Sequence, residues 1–235
     1  MRALILCFFV FLFTLPAGAQ VTSIKITDKT IVKDSSGTVY PIAIWQPLLS
    51  KGYVLKPVDP RNASTEFILV KLTEQQIAER MKNTPKPRES SYFKTGEKLN
   101  LFKASDIDGN KFDLRDSSGK IIVINFWFIN CGPCRREIPE LNDLVDSFST
   151  NDKVLFYAVA LDEKQELKTF LEKMPFKYKI IDNGRFITEK YGIRSYPTHL
   201  IIDTDGKVYF HTVGLASNTV YWLKKSIGEL LEKSQ

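Results

Sequence analysis

The sequence predicts an α/β fold: a three-layer sandwich with a mixed β-sheet between helices, preceded by a small N-terminal α+β domain. Three observations carry this. Two continuous apolar runs, "KIIVINFWF" from Lys120 and "KVLFYAVALD" from Lys153, have the composition of strands buried on both faces. Each is followed by a stretch with helical apolar spacing, the alternation that builds parallel pairs. The chain then closes with "THLIID", "TDG" and "KVYFHTVG", an antiparallel hairpin, and the amphipathic "TVYWLKKSIGELLEK".

The first residues are expected to lie outside this fold. Met1-Arg2 is a basic start, Ala3 to Leu15 is almost wholly apolar, and Ala17 and Ala19 form an A-x-A cleavage pattern. That describes a secretory signal peptide over residues 1–19, too short to span a bilayer once cleaved. It implies an exported protein, periplasmic or otherwise extracytoplasmic, with a retained membrane anchor as the alternative. Cys7 lies inside the apolar run and is lost on processing. Of three cysteines, Cys131 and Cys134 then remain, and no other cysteine is left for a structural disulfide. Stability must come from a core, which 43% hydrophobic residues and sixteen Phe can supply. The net charge of +6 is +5 without Arg2 and is spread along the chain, so no nucleic-acid patch is expected.

Residues 20–84 read as the small domain. "TIVKDSSGTVY" suggests two short strands around a Ser-Ser-Gly turn, "GYVLKPV" and "EFILVKL" two more, and "TEQQIAERMKN" a helix capped by Thr73. The region holds no His or Cys and no clustered carboxylates, so its residues assign it no function, and a packing or partner-binding module is the default expectation. Asn62-Ala63-Ser64 fits the glycosylation acceptor pattern, a triplet common by chance. "NTPKPRESS", residues 83–91, has two prolines and no apolar period, so 85–91 is expected to be a linker.

From residue 92 to 235 the elements follow in regular order. "KLNLF" and "KFDL" flank an Asp-Gly turn. "KIIVINFWF" is the central strand, and a helix runs from about Pro133 to Phe148 with Ile138, Leu141, Leu144, Val145 and Phe148 on one side. "KVLFYAVALD" is a strand, "EKQELKTFLEKM" a helix and "YKIID" a strand. "RFITEKYG" is a short helix stopped by Gly192, before the closing hairpin and helix.

The two retained cysteines carry the chemistry. A zinc site needs about four ligands, and His199 and His211 lie far off in expected strands with no ligand spacing. A structural disulfide across two residues would restrict the unfolded chain little. A Cu(I) carrier using both thiols and one histidine is an alternative, since thiolates suit Cu(I). A redox pair explains more. Cys131 falls between a buried strand and a helix, where free N–H groups and the helix dipole stabilise a thiolate. Gly132 leaves room for a partner's backbone, and Pro133 suits the first helical turn. Cys134 lies one turn inward, in reach of a mixed disulfide on Cys131.

"FWFINCGPCRREIPEL" resembles the active-site segment of the thioredoxin superfamily, and specifically its exported TlpA/ResA-like branch. Trp127 before the first cysteine, Pro139 in the helix, and "YGIRSYPTHLIID" leading through Pro197 carry the resemblance across residues 92 to 235. It implies a thioredoxin-like fold and a thiol–disulfide oxidoreductase with a Cys131–Cys134 disulfide, an exposed nucleophilic Cys131 and a buried resolving Cys134. It also implies Pro197 in cis, and a substrate surface that includes Trp127, Gly132, Pro133, Tyr196 and Pro197. Protein disulfides or thiols would be the substrates, a membrane electron donor or acceptor the redox partner, and no cofactor is implied beyond the cysteines. The Gly-Pro dipeptide is similar to that of reducing thioredoxins, which favours a reductase, and the branch's precedent is cytochrome c maturation. A peroxiredoxin-like peroxidase is a second alternative, but Phe128, Ile129 and Asn130 occupy the approach where Thr or Ser is needed.

Two asparagines depart from the common pattern. Asn125 stands where thioredoxin has a buried acid, and an amide cannot accept the Cys134 proton. Glu137, three residues after Cys134 and on the same helix face, is the candidate acceptor, as in ResA-like proteins. Asn130 replaces the usual aromatic before Cys131 and makes the rim more polar.

Overall fold

Seven consecutive buried residues, β7 (Ile121–Trp127), form the central strand of a five-stranded sheet. In this computed structural model residues 30–49, 52–59 and 66–234 are described. The expected signal segment, Cys7 and Asn62-Ala63-Ser64 lie outside them. The described chain divides into two compact units between Lys71 and Leu72.

In the second unit β7 pairs in parallel with β8 (Val154–Ala160), and β8 with β9 (Lys179–Ile181). On its other side β7 pairs antiparallel with β10 (Thr198–Ile202), which pairs with β11 (Val208–Val213). The mixed sheet has the order β11-β10-β7-β8-β9. Successive side chains of a strand point to opposite faces, so β7 feeds two cores. Ile121, Val123 and Trp127 pack with α3 (Gly132–Ser147), α4 (Lys164–Lys173) and α6 (Thr219–Lys233) through Ile138, Leu141, Leu144, Leu167, Leu223 and Ile227. Ile122, Ile124 and Phe126 pack on the other side, against Ile187 of α5 (Arg185–Lys190) and Leu200 of β10. Alternation therefore places Asn125 on the α3 face. Gly184 sets α5 tightly at the end of β8, since a Cβ there would lie 2.8 Å from the Ala160 carbonyl oxygen.

Two segments differ from expectation. The first strand of the early hairpin is β5 (Lys103–Ser105), paired with β6 (Lys111–Asp113), rather than "KLNLF". The Asp106 carboxylate accepts from the Asp108 and Asn110 backbone N–H groups and fixes that turn. Residues 85–91, expected as a linker, are bonded along β11: the Arg88 carbonyl accepts from Val213 N–H and Thr212 Oγ1, and Asn218 Nδ2 donates to the Pro85 carbonyl. An edge strand presents unpaired backbone groups, and this segment covers some of them.

The first unit is a four-stranded sheet of order β2-β1-β4-β3: β1 (Ile31–Lys33), β2 (Val39–Tyr40), β3 (Tyr53–Pro57) and β4 (Glu66–Lys71). Its core is Val32, Trp45, Phe67 and Leu69, with Trp45 supplied by α1 (Ile42–Leu48). Helix α2 (Glu74–Lys82) follows the division, with Thr73 and Gln76 forming a reciprocal cap at its start. Among the described residues no helix is long and apolar enough to cross a membrane.

Candidate active site

Cys131 is the N-cap of α3. Its backbone is extended (φ −77°, ψ 97°), and its carbonyl accepts from Arg135 N–H at 3.1 Å. The Cys134 N–H points at Cys131 Sγ, 3.2 Å away. A helix start leaves N–H groups without helical partners, and here one is spent on sulfur, the contact that would hold a thiolate. Pro133 sits in the first turn, where it sacrifices no helical hydrogen bond. Cys131 and Cys134 form a disulfide, with their Cα atoms 5.2 Å apart. Gly132 is exposed, and a Cβ there would meet open space.

The expected exposed sulfur is covered in this disulfide form: Cys131 is 5% exposed and Cys134 3%. Both join the core between the sheet and α3, against which Phe128, Ile129 and Tyr196 also pack. Phe128 and Tyr196 meet edge to face, ring centres 5.4 Å apart. The loop carrying Phe128 is pinned where Ile129 N–H donates to Asp162 Oδ2 at 2.7 Å. Tyr196–Pro197 is a cis peptide; beside it Thr198 Oγ1 donates to the Ser195 carbonyl, and Gly214 N–H to the Pro197 carbonyl.

Trp127 requires a correction. It was expected on the substrate surface, yet it is fully buried, with its ring between Phe170 and Phe176 at 5.6 and 5.5 Å. Strand alternation is the reason: Trp127 shares the inward face of β7 with Val123, so it fills the floor of the site and does not reach a substrate.

On the α3 side of the sheet lies a polar group that sequence reasoning assembled only in part. Glu137, one turn after Cys134, is 5% exposed. Its Oε2 is 3.0 Å from His199 Nε2, and its Oε1 has no hydrogen-bond partner among the described residues. His199 is fully buried on β10, directly opposite Asn125, whose Nδ2 lies 3.3 Å from His199 Nδ1. Directly opposed residues share a face, so the layer under α3 holds an Asn–His–Glu chain. His199 was expected to be structural; the missing signal was the register that sets it against Asn125. Glu140, a further turn along α3, has its carboxyl pushed up to about 7 by burial and by the charges of Glu137 and Asp143. Burial, with the charge of Glu137, also holds the Tyr178 phenol well above its usual range.

A cysteine pair on the N-terminal turn of a helix, beside a cis-proline loop on a mixed sheet, defines a thioredoxin-like thiol–disulfide oxidoreductase. A sequence profile described as the AhpC/TSA family matches residues 95–211, and the chain belongs to this family of thioredoxin-like proteins. It is similar to thiol-disulfide oxidoreductase ResA of Bacillus cereus, 32% identical over 124 residues that cover 50% of this chain and 72% of the relative. The thioredoxin-like protein YneN of Bacillus subtilis is 29% identical over 123 residues, 51% of this chain and 71% of that one. Among solved structures, a candidate thiol:disulfide interchange protein DsbE from Chlorobium tepidum superposes with a TM-score of 0.54 at 26% identity, covering 59% of this chain and 99% of its own. A candidate protein disulfide isomerase from Bacteroides thetaiotaomicron, at 23% identity and a TM-score of 0.56 over 62% of this chain and 94% of its own, shares the fold. The oxidoreductase names fit the tandem cysteine pair, and the peroxidase alternative gains no support from them.

Proposed function

We propose that this protein is an exported reductase of protein disulfides, re-reduced by a membrane electron donor, and that Glu137 is the proton acceptor for Cys134. The carrying observation is the buried Glu137 carboxylate one turn below a cysteine pair capped onto α3. In the reduced protein the Cys131 thiolate attacks a substrate disulfide, forming a mixed disulfide and expelling one substrate sulfur as thiolate. Cys134 then gives its proton to Glu137, attacks Cys131 Sγ, and expels the second substrate sulfur as thiolate. Two electrons pass from the pair to the substrate, and the Cys131–Cys134 disulfide is restored.

Substrate would lie along Tyr196 and Pro197 and over Gly132 and Pro133. The Tyr196 N–H and carbonyl make no hydrogen bond among the described residues, which leaves both for an extended chain. Export rests on the pattern of residues 1–19. A cysteine pair awaiting haem attachment, as in cytochrome c maturation, is the substrate class in this reading, with a rim made more polar by Asn130.

Two measurements test it. Cys134→Ser in cells should accumulate mixed disulfides on Cys131 with exported cysteine-pair proteins. The purified protein, equilibrated with glutathione, should lie near the reducing thioredoxins at about −270 mV, not near DsbA at about −120 mV. A potential on the oxidising side of glutathione would reverse the assigned direction.

A further inference from the structure

His199 has a hydrogen-bonding partner at each ring nitrogen. The Asn125 Nδ2 group can only donate, and it lies 3.3 Å from Nδ1 and 3.5 Å from Nε2. Nε2 is engaged with Glu137 Oε2 at 3.0 Å. With Nε2 taken by Glu137, Nδ1 is the ring atom left to accept from Asn125, an arrangement that requires the ring proton on Nε2, directed at the carboxyl. The ring is fully buried, on a residue paired directly with Asn125.

We propose that His199 is a positioning residue for thiol exchange. Asn125 holds it in the Nε2–H tautomer, it donates to Glu137 Oε2, and this orients the carboxyl with Oε1 as the open acceptor for the Cys134 proton. The proposal rests on the reading of Glu137 as base. A carboxyl whose one oxygen is held by a fixed donor keeps its other oxygen free to accept. The other groups around Glu137 do not replace this donor. Glu140, on the same helix, contributes like charge when ionised. Tyr178, ahead of β9, stays protonated, but its hydroxyl has no hydrogen-bond partner among the described residues. In the resolving step the Cys134 proton passes to Oε1, and the Cys134 sulfur forms its bond to Cys131 as the bond to the partner sulfur breaks. The leaving thiolate takes a proton from water, Glu137 later returns its own to water, and His199 keeps its proton throughout. Asn125 acquires a purpose: it replaces an acid with an amide that orients the imidazole.

The test uses the full chain, reduced and mixed with an aromatic disulfide whose two thiols are released in separate phases. The first phase reports attack by Cys131, the second resolution by Cys134, each followed over roughly pH 5 to 9. His199→Leu should slow the second phase about 10–100-fold near neutral pH, with its acid limb moved to higher pH, and leave the first phase unchanged. His199→Gln, which retains an N–H donor, should recover most of the rate. Glu137→Gln should slow the second phase as well, and adding His199→Leu to it should slow it no further. A normal second phase in His199→Leu beside a slow one in Glu137→Gln overturns the role of His199 and leaves Glu137 as base. A normal second phase in Glu137→Gln removes the base itself. Should His199→Leu fail to fold, nitrogen NMR of the wild-type imidazole decides: a neutral ring protonated at Nε2 is expected, and a proton on Nδ1 overturns the proposal.

Discussion

A buried carboxylate without enough partners is costly, and α3 holds two acids near the disulfide with different surroundings. Glu137 has an imidazole partner; Glu140 has burial and like charge, which push its carboxyl up to about 7. Because that value lies above the usual 4.5, Glu140 binds its proton more readily in the fold. Its contribution to stability is then fully present below about pH 4.5 and is lost as pH rises through about 7. Glu140→Gln should remove this loss. The variant should gain about 1–2 kcal/mol on wild type between pH 4.5 and pH 7.5 in urea titrations, once solvent screening of a partly exposed group is allowed for. Equal pH dependence in both proteins would show that Glu140 ionises freely in the fold. The i,i+3 spacing from Cys134 made Glu137 legible in the sequence, whereas His199 needs a pairing register across seventy-four residues, which no local pattern encodes.

Elements whose identity rests on local periodicity were legible: β7 and β8 from unbroken apolar runs, α2 from Thr73 and its apolar spacing, α3 and α6 from their amphipathic faces. Those set by tertiary contacts were not. Helix α1 carries Pro47 within it and is anchored by buried Trp45, so a breaker concealed it. The proline-rich 85–91 stretch has no period because it is a single strap along β11, held by individual bonds. A further bond of the strap falls on a titratable ring. The Ser90 N–H donates to His211 Nδ1 at 3.1 Å, and burial lowers the readiness of that imidazole to take a proton. Protonation would set one donor against another. The sign follows: with the folded value depressed, this contribution is present above about pH 6.5 and fades as pH falls through the lower, folded value. Hydrogen exchange at Ser90, corrected for its intrinsic pH dependence, should therefore accelerate on acidification, and His211→Gln should show no such step. Unchanged protection in wild type would place the hold on the strap elsewhere, at Arg88 and Pro85.

For the whole molecule, redox direction and folding stability are one quantity seen twice. A fold that favours its disulfide makes a reductant, and one that favours its dithiol makes an oxidant, as with DsbA. The two-residue loop between Cys131 and Cys134 restricts the unfolded chain little, so the balance lies in the folded site. Two features oppose each other there. The start of α3, with Cys134 N–H on Cys131 Sγ, stabilises a reduced thiolate and pulls toward an oxidant. The buried negative charge of Glu137 disfavours a second anion and pulls toward a reductant. The reductase reading requires the second to prevail. The oxidised protein should then unfold at a higher temperature than the reduced one, by about 2–4 °C for each kcal/mol in a chain of this size. Glu137→Gln removes the opposing charge and should raise the potential while narrowing that gap, with about 30 mV accompanying each 1.4 kcal/mol. Calorimetry of both redox forms beside glutathione equilibration checks the two shifts against each other. A reduced form that melts higher than the oxidised one would make this protein an oxidant, with the helix start rather than Glu137 setting its potential.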